Sequence, residues 1–181
     1  MKQNSPQSLP PFDPDEQTVN VIIETPKGSR NKYKWDEQHQ LYQLSNVLSE
    51  GLYFPYDFGF IPNTLGGDGD PLDVLLFMDE PVFSGCLAPS RVIGILEAEQ
   101  DKNERNDRII AVSTESHDHK DVHSIADLSD EMMCELEQFF EVYHRTQGKK
   151  FKVIDRKGPK AALKVIKAGE KAAAQKHKKA S

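Results

Sequence analysis

The sequence has 181 residues and a mass of 20.5 kDa; 37% of it is hydrophobic, 29% is charged, and the formal net charge is -6. That length favours one domain, able to bury roughly 70% of the surface of the unfolded chain, and Trp35, nine Phe and five Tyr supply a core, which excludes wholesale disorder. No apolar run approaches the roughly 20 residues of a membrane span, no signal-peptide hydrophobic region is seen, and Cys86 and Cys134 lack metal-site spacing, so a cytoplasmic protein without a disulfide scaffold is expected.

Residues 1–17, rich in Pro, Gln, Ser and Asn as far as Pro14, read as a flexible arm, and 18–181 as a single domain. Thr18 to Thr25 is a β-branched strand stopped by Pro26-Lys27-Gly28-Ser29. Asn31 to Asp36 and Gln40 to Leu44 predict two strands around the turn at Asp36-Glu37-Gln38-His39. Leu52 to Gly69 is aromatic and broken by Pro and Gly, which suits short strands and tight turns. Asp73 to Phe77, Ser90 to Glu97 and Arg108 to Val112 complete an all-β barrel or sandwich core. After Asp127 the texture turns helical. Ser129 is an N-cap, Met132, Leu136, Phe139, Phe140 and Tyr143 recur at helical spacing, and Gly148 closes the helix. Phe151 to Ile154 predicts a short strand, and Lys160 to Lys179 a basic surface helix. From Arg156 onward nine Lys/Arg face one acid, Glu170, so the body before it is strongly acidic. Such a body repels bare polyanions, and nucleic acid is not an expected partner.

The segment Gly66-Gly67-Asp68-Gly69-Asp70-Pro71-Leu72-Asp73 carries the chemistry, directly before the apolar run Val74-Leu75-Leu76-Phe77. Two carboxylates about 5 Å apart repel by roughly 3 kcal/mol at an effective dielectric near 20. The cluster therefore calls for exposure, protonation or cations. Carboxylate oxygens with no soft ligand favour Mg²⁺, with Mn²⁺ as a substitute, ions that keep waters and take phosphates as co-ligands. The other reading of the same residues is an acidic turn whose Asp side chains cap backbone amides.

Asp68-Gly69-Asp70-Pro71-Leu72-Asp73 follows Phe54-Pro55-Tyr56-Asp57-Phe58-Gly59-Phe60-Ile61-Pro62-Asn63-Thr64-Leu65. This run resembles the soluble family I inorganic pyrophosphatases, and the resemblance extends over about residues 18 to 155. It implies a mainly β (α+β) fold, a five-stranded OB-like barrel with flanking helices. It also implies Mg²⁺-dependent hydrolysis of pyrophosphate to two phosphates by metal-activated water, and assembly into a homo-oligomer. Carried over by the same resemblance, Asp70 is the general base, and Asp68, Asp73, Glu24, Asp101 and Asp107 are metal ligands. For the last of these, Asn106 is the alternative. Lys32, Tyr143, His144 and the adjacent Arg145 fall at phosphate-binding positions.

The chain departs from that pattern at several places. Phe54 and Phe58 stand where the family has tyrosines, and Lys34 stands where it has a glutamate. Ser45-Asn46 falls where an arginine is expected, and His144 where a lysine is, with Arg30 and Arg145 as possible replacements for the lost charge. Each lost charge-assisted contact to phosphate costs roughly 1.5 to 3 kcal/mol. The alternative function is thus a relative with weak or no pyrophosphatase activity, acting on another phosphate compound or binding metal and phosphate. A second cluster, His117, His119, Asp121 and His123, has alternating spacing compatible with zinc, but lacks the adjacent Asp-His pair of the hydrolase motif it approximates.

Overall fold

The computed structural model describes residues 5–14, 18–101 and 104–180. In chain order the elements are β1 (Val19–Thr25), β2 (Asn31–Asp36), β3 (Leu41–Val47), β4 (Asp57–Ile61), β5 (Leu72–Phe77), β6 (Leu87–Gln100), β7 (Glu104–Arg105), β8 (Arg108–Ser113), α1 (Asp130–Thr146), β9 (Phe151–Lys157) and α2 (Pro159–Ala180). Strand β1 pairs with both β4 and β6, so β1, β4, β5, β8 and β6 form a ring of five strands. All its pairings are antiparallel except β5 with β8. Strands β7 and β9 extend the sheet from β6, and β2 with β3 forms a separate hairpin. The fold is thus mainly β with flanking helices, as expected.

Apolar runs in the ring are continuous because both faces are covered. Along β5, Val74 and Leu76 join one hydrophobic cluster while Leu75 and Phe77 join another; along β8, Ile109 and Ala111 separate from Ile110 and Val112 in the same way. The two clusters are completed by different helices. Met133, Leu136, Phe139, Phe140 and Tyr143 of α1 close the first, and Ala162 and Ile166 of α2 close the second. Strands β1 and β4 cross closely enough that a Cβ on Gly59 would stand 2.0 Å from the Ile22 carbonyl oxygen, so only glycine fits there.

Local signals account for the helix ends. Ser129 Oγ accepts from the Met132 amide, Asp130 and Glu131 occupy the first turn, and Gly148 adopts φ 72° just past the last turn. Met133, rather than the expected Met132, is the buried methionine of this face. Of the segment expected as an arm, 5–14 runs along the body. The Asn63 amide donates to the Gln7 carbonyl at 2.8 Å, and the Asn20 amide to the Pro11 carbonyl at 2.9 Å. Residues 1–4 and 15–17 of that segment lie outside the described residues.

Candidate active site

The aspartate turn is built by its backbone. The Gly66 amide donates to the Asp70 carbonyl at 2.7 Å, and Gly69, at φ 87°, makes the reversal that a residue with a Cβ adopts only under strain. The Asp70 amide donates to Asp68 Oδ1 at 3.1 Å, an Asx-type bond that fixes one carboxylate by the backbone of the next. Behind the turn, Thr64 Oγ1 donates to the Ile61 carbonyl at 2.6 Å and accepts from the Leu72 amide at 3.0 Å, with Thr64 itself buried. The turn is therefore anchored to both β4 and β5 by one hydroxyl.

It forms one side of an open cleft of about 330 Å³. Glu24 at the end of β1, Lys32 and Lys34 on β2, and Asp68, Asp70 and Asp73 line it. Tyr143 and His144 of α1 line it too, so eight residues singled out in the sequence converge from four segments of chain. Asp101, Asp107 and Arg145 do not line this cleft. Asp101 pairs with the Lys150 backbone and lines a neighbouring cavity with Arg145. Asp107 accepts from the Ala98 amide at 3.0 Å, pairs with Arg105 at 2.9 Å and faces the cavity beneath α2. In their place the cleft holds Gln100 and Asn106, bonded to each other at 2.5 Å. The extended chain before β8 explains the exchange: Asn106 and Arg108 project to one side and Asp107 between them to the other.

Arg108 is the residue that sequence reasoning missed. It is 3% exposed, pairs with Asp73 at 2.8 Å, donates to the Asn106 and Asp107 carbonyls and to the Asn106 side chain, and stands over the rings of Phe140 and Phe151. A lone arginine heading the buried run Arg108–Ser113 was the available signal. Lys149, just after α1, also lines the cleft. Arg30 does not: it is bonded to Glu50 and the Leu48 carbonyl. Phe54 and Phe58 are buried in the core, and Phe58 and Tyr143 each carry the Lys32 ammonium at 5.4 Å from the ring centroid. The histidine-rich segment forms no metal group among the described residues. Its turn is held instead by Asp79, which accepts from Ser116 Oγ and from the His117 and Asp118 amides.

Burial raises the Glu24 pKa to about 7; the Trp35 amide opposes the shift, and the charge of Asp73 adds to it. Burial likewise raises Asp68, again against a backbone amide and with Asp73 and Asp70 adding. Burial works against the Lys34 charge, but its bond to Asp70 at 2.8 Å outweighs it and raises the pKa. His144, 4% exposed and stacked on Phe151, is lowered to about 4 by burial; the Phe140 carbonyl on Nδ1 opposes the shift, while Arg108, Lys32 and Lys149 add to it. At neutral pH its ring is uncharged, and Nδ1–H is the nitrogen committed to that carbonyl.

No group of three or more His, Cys, Asp or Glu side chains among the described residues forms a cage for an ion. Magnesium does not need one, since it keeps most of its waters and takes one or two carboxylates plus phosphate oxygens. Asp68 and Asp73, mutually repelling hard-oxygen donors on one rigid turn, fit a single hydrated divalent ion of that kind. Gln100 and Asn106 contribute only neutral oxygens, so two of the five carboxylate ligands that the resemblance implied, Asp101 and Asp107, have no counterpart of their charge in the cleft.

The comparisons with known proteins point the same way. A family model described as inorganic pyrophosphatase matches residues 21–174. An inorganic pyrophosphatase of Synechocystis sp. is 38% identical over 156 residues, which is 86% of this chain and 92% of that one. One from Geobacillus stearothermophilus is 39% identical over 148 residues, 82% of this chain and 89% of that one. The crystal structure of inorganic pyrophosphatase from Thermus thermophilus superposes with a TM-score of 0.87 at 34% identity, covering 94% of this chain and 99% of its own. With its aspartate turn at the same cleft as a basic wall, the chain belongs to the inorganic pyrophosphatase family.

Proposed function

We propose that the chain hydrolyses inorganic pyrophosphate to two phosphates by direct attack of water in this cleft. The observation that carries the reading is the meeting of the Asp68–Asp73 turn with Lys32, Arg108, Tyr143 and Lys149 in one cavity, in a chain of this family. The basic residues and the Tyr143 hydroxyl bind and orient phosphate oxygens, which is most of what phosphoryl transfer asks of a protein. Asp70 Oδ accepts the proton of the attacking water, and the leaving phosphate departs towards the basic wall. Asp68, Asp73 and Glu24 hold Mg²⁺, or Mn²⁺ in its stead. When bound, the ion lowers the pKa of water and neutralises charge on the phosphates.

Phosphate release from pyrophosphate by the purified protein, with and without Mg²⁺, tests this. Asp70→Asn is expected to lower turnover roughly 100-fold or more while leaving the fold intact. Undiminished turnover would remove Asp70 from the role of base. A second reading is favoured by Lys34 on Asp70 and by the amides Gln100 and Asn106: a protein that binds pyrophosphate or another phosphate compound and turns it over weakly. Binding of a non-hydrolysable analogue without turnover would support it. We also propose a homo-oligomer in a reducing compartment. Exposed Leu41, Leu44 and Val47 on β3 and free Cys86 and Cys134 support this, and sedimentation of the reduced protein tests the assembly.

A further inference from the structure

Five acids (Glu24, Asp68, Asp70, Asp73 and Glu104) and four bases (Lys32, Lys34, Arg108 and Lys149) line the cleft, so it is close to self-neutralised. Two of the three turn aspartates already carry a protein cation. Those two pairs differ in kind. Arg108–Asp73 is buried on the arginine side, and further carbonyl acceptors hold the guanidinium where it is. Lys34–Asp70 is half exposed on both sides, 51% and 59%, and the lysine has no other hydrogen-bond partner among the described residues. An exposed pair of a flexible ammonium contributes little to stability and exchanges partners readily. Lys34 also lies two residues from Lys32 on β2, so both project to the same side, over the turn.

We propose that Lys34 is a built-in counter-cation of this cleft. Its ammonium neutralises Asp70 beside the ion ligands Asp68 and Asp73 and passes to the phosphate when a diphosphate arrives, so that the chain binds diphosphate with less dependence on divalent ions. The proposal rests on the reading of the cleft as a pyrophosphate site. An ammonium 2.8 Å from Asp70 repels a divalent ion at the neighbouring Asp68 and Asp73, so removing it strengthens metal binding. The same removal takes a charge-assisted donor from the phosphate.

Two calorimetric titrations of the full chain test it. In the first, Mg²⁺ alone is titrated into wild type, Lys34→Gln and Lys34→Arg. The expected result is about tenfold tighter Mg²⁺ binding in Lys34→Gln and wild-type binding in Lys34→Arg. In the second, methylenediphosphonate is titrated in EDTA. Wild type and Lys34→Arg are expected to bind, and Lys34→Gln to bind about tenfold more weakly. Thermal denaturation checks the fold of each variant, with Lys34→Met as the replacement if Lys34→Gln is not folded. Unchanged Mg²⁺ affinity in the neutral variant, or unchanged diphosphonate affinity in EDTA, would overturn the proposal. If wild type binds no diphosphonate even with Mg²⁺ present, the pyrophosphate reading itself fails. If wild type binds it with Mg²⁺ and the variants do not differ, only the role of Lys34 fails.

Discussion

His144 sits one residue from Tyr143 on α1 and touches the cleft with an uncharged ring. In the unfolded chain its imidazole protonates near the ordinary value of 6.5; in the fold it does so only near 4. Between those values the unfolded state binds the extra proton, so stability falls as pH drops through that window, by up to about 3 kcal/mol. Urea denaturation at pH 7.5 and pH 4.5 checks it. His144→Gln is expected to reduce the difference between the two midpoints, and an undiminished difference would mean the loss arises elsewhere. The sequence put His144 and Arg145 together as phosphate contacts, but a helix turns about 100° between neighbours and sends Arg145 to another cavity. Glu24, Lys32, Asp68, Asp70 and Asp73 were legible because each stands in or beside a short, specific motif. Gln100 and Arg108 were not, and Asn106 only as the alternative to Asp107, because the segment from Glu97 to Asp107 carries five acids in eleven residues and hides which side chains share a face.

At the scale of elements, the aspartate turn depends on Thr64, whose hydroxyl bridges β4 and β5 from beneath. Thr64→Val leaves the Ile61 carbonyl and the Leu72 amide without that partner in a buried place, which costs about 1–3 kcal/mol. The expected outcome is a lower denaturation midpoint together with slower phosphate release, since Asp68, Asp70 and Asp73 lose a fixed base. Thr64→Ser, which keeps the hydroxyl, is expected to recover most of both. A Thr64→Val protein with wild-type midpoint would show that the bridge carries no weight. Strands β5 and β8 were readable as apolar runs, and β2 with β3 by the turn between them. Strand β6 proved longer at both ends than Ser90 to Glu97. Its last residues are polar because they border the cleft and the short strand β7, so they resembled a loop. Pairing partners such as the β1–β6 contact that closes the ring have no local signature at all.

Across the whole molecule, the basic helix α2 is more than a solvated tail. Ala162 and Ile166 are fully buried in the cluster that contains Ile61, Leu72 and Val74, and the Gly169 carbonyl accepts from the Leu65 amide at 3.1 Å. A side chain at Gly169 would stand 3.0 Å from Leu72 Cδ2's partner methyl, Cδ1, and 3.2 Å from the Leu65 carbonyl, so the helix lies directly on the segment leading into the aspartate turn. Its cationic outer face meanwhile offsets the acidic body, a pattern that composition alone assigned to solvent. Packing, rather than charge, is therefore expected to govern what α2 contributes. Ile166→Ala empties a fully buried site and is expected to cost about 2–5 kcal/mol. Leu163→Ala, at a partly buried position of the same helix, is expected to cost less than half of that, because its side chain leaves less of a cavity. Lys171→Ala, on the exposed face, is expected to stay within about 0.5 kcal/mol of wild type. Urea denaturation of the three variants at one ionic strength gives the comparison. Equal losses at Ile166 and Lys171 would show that α2 is held to the body by its charge, and the second hydrophobic cluster would then end at the sheet.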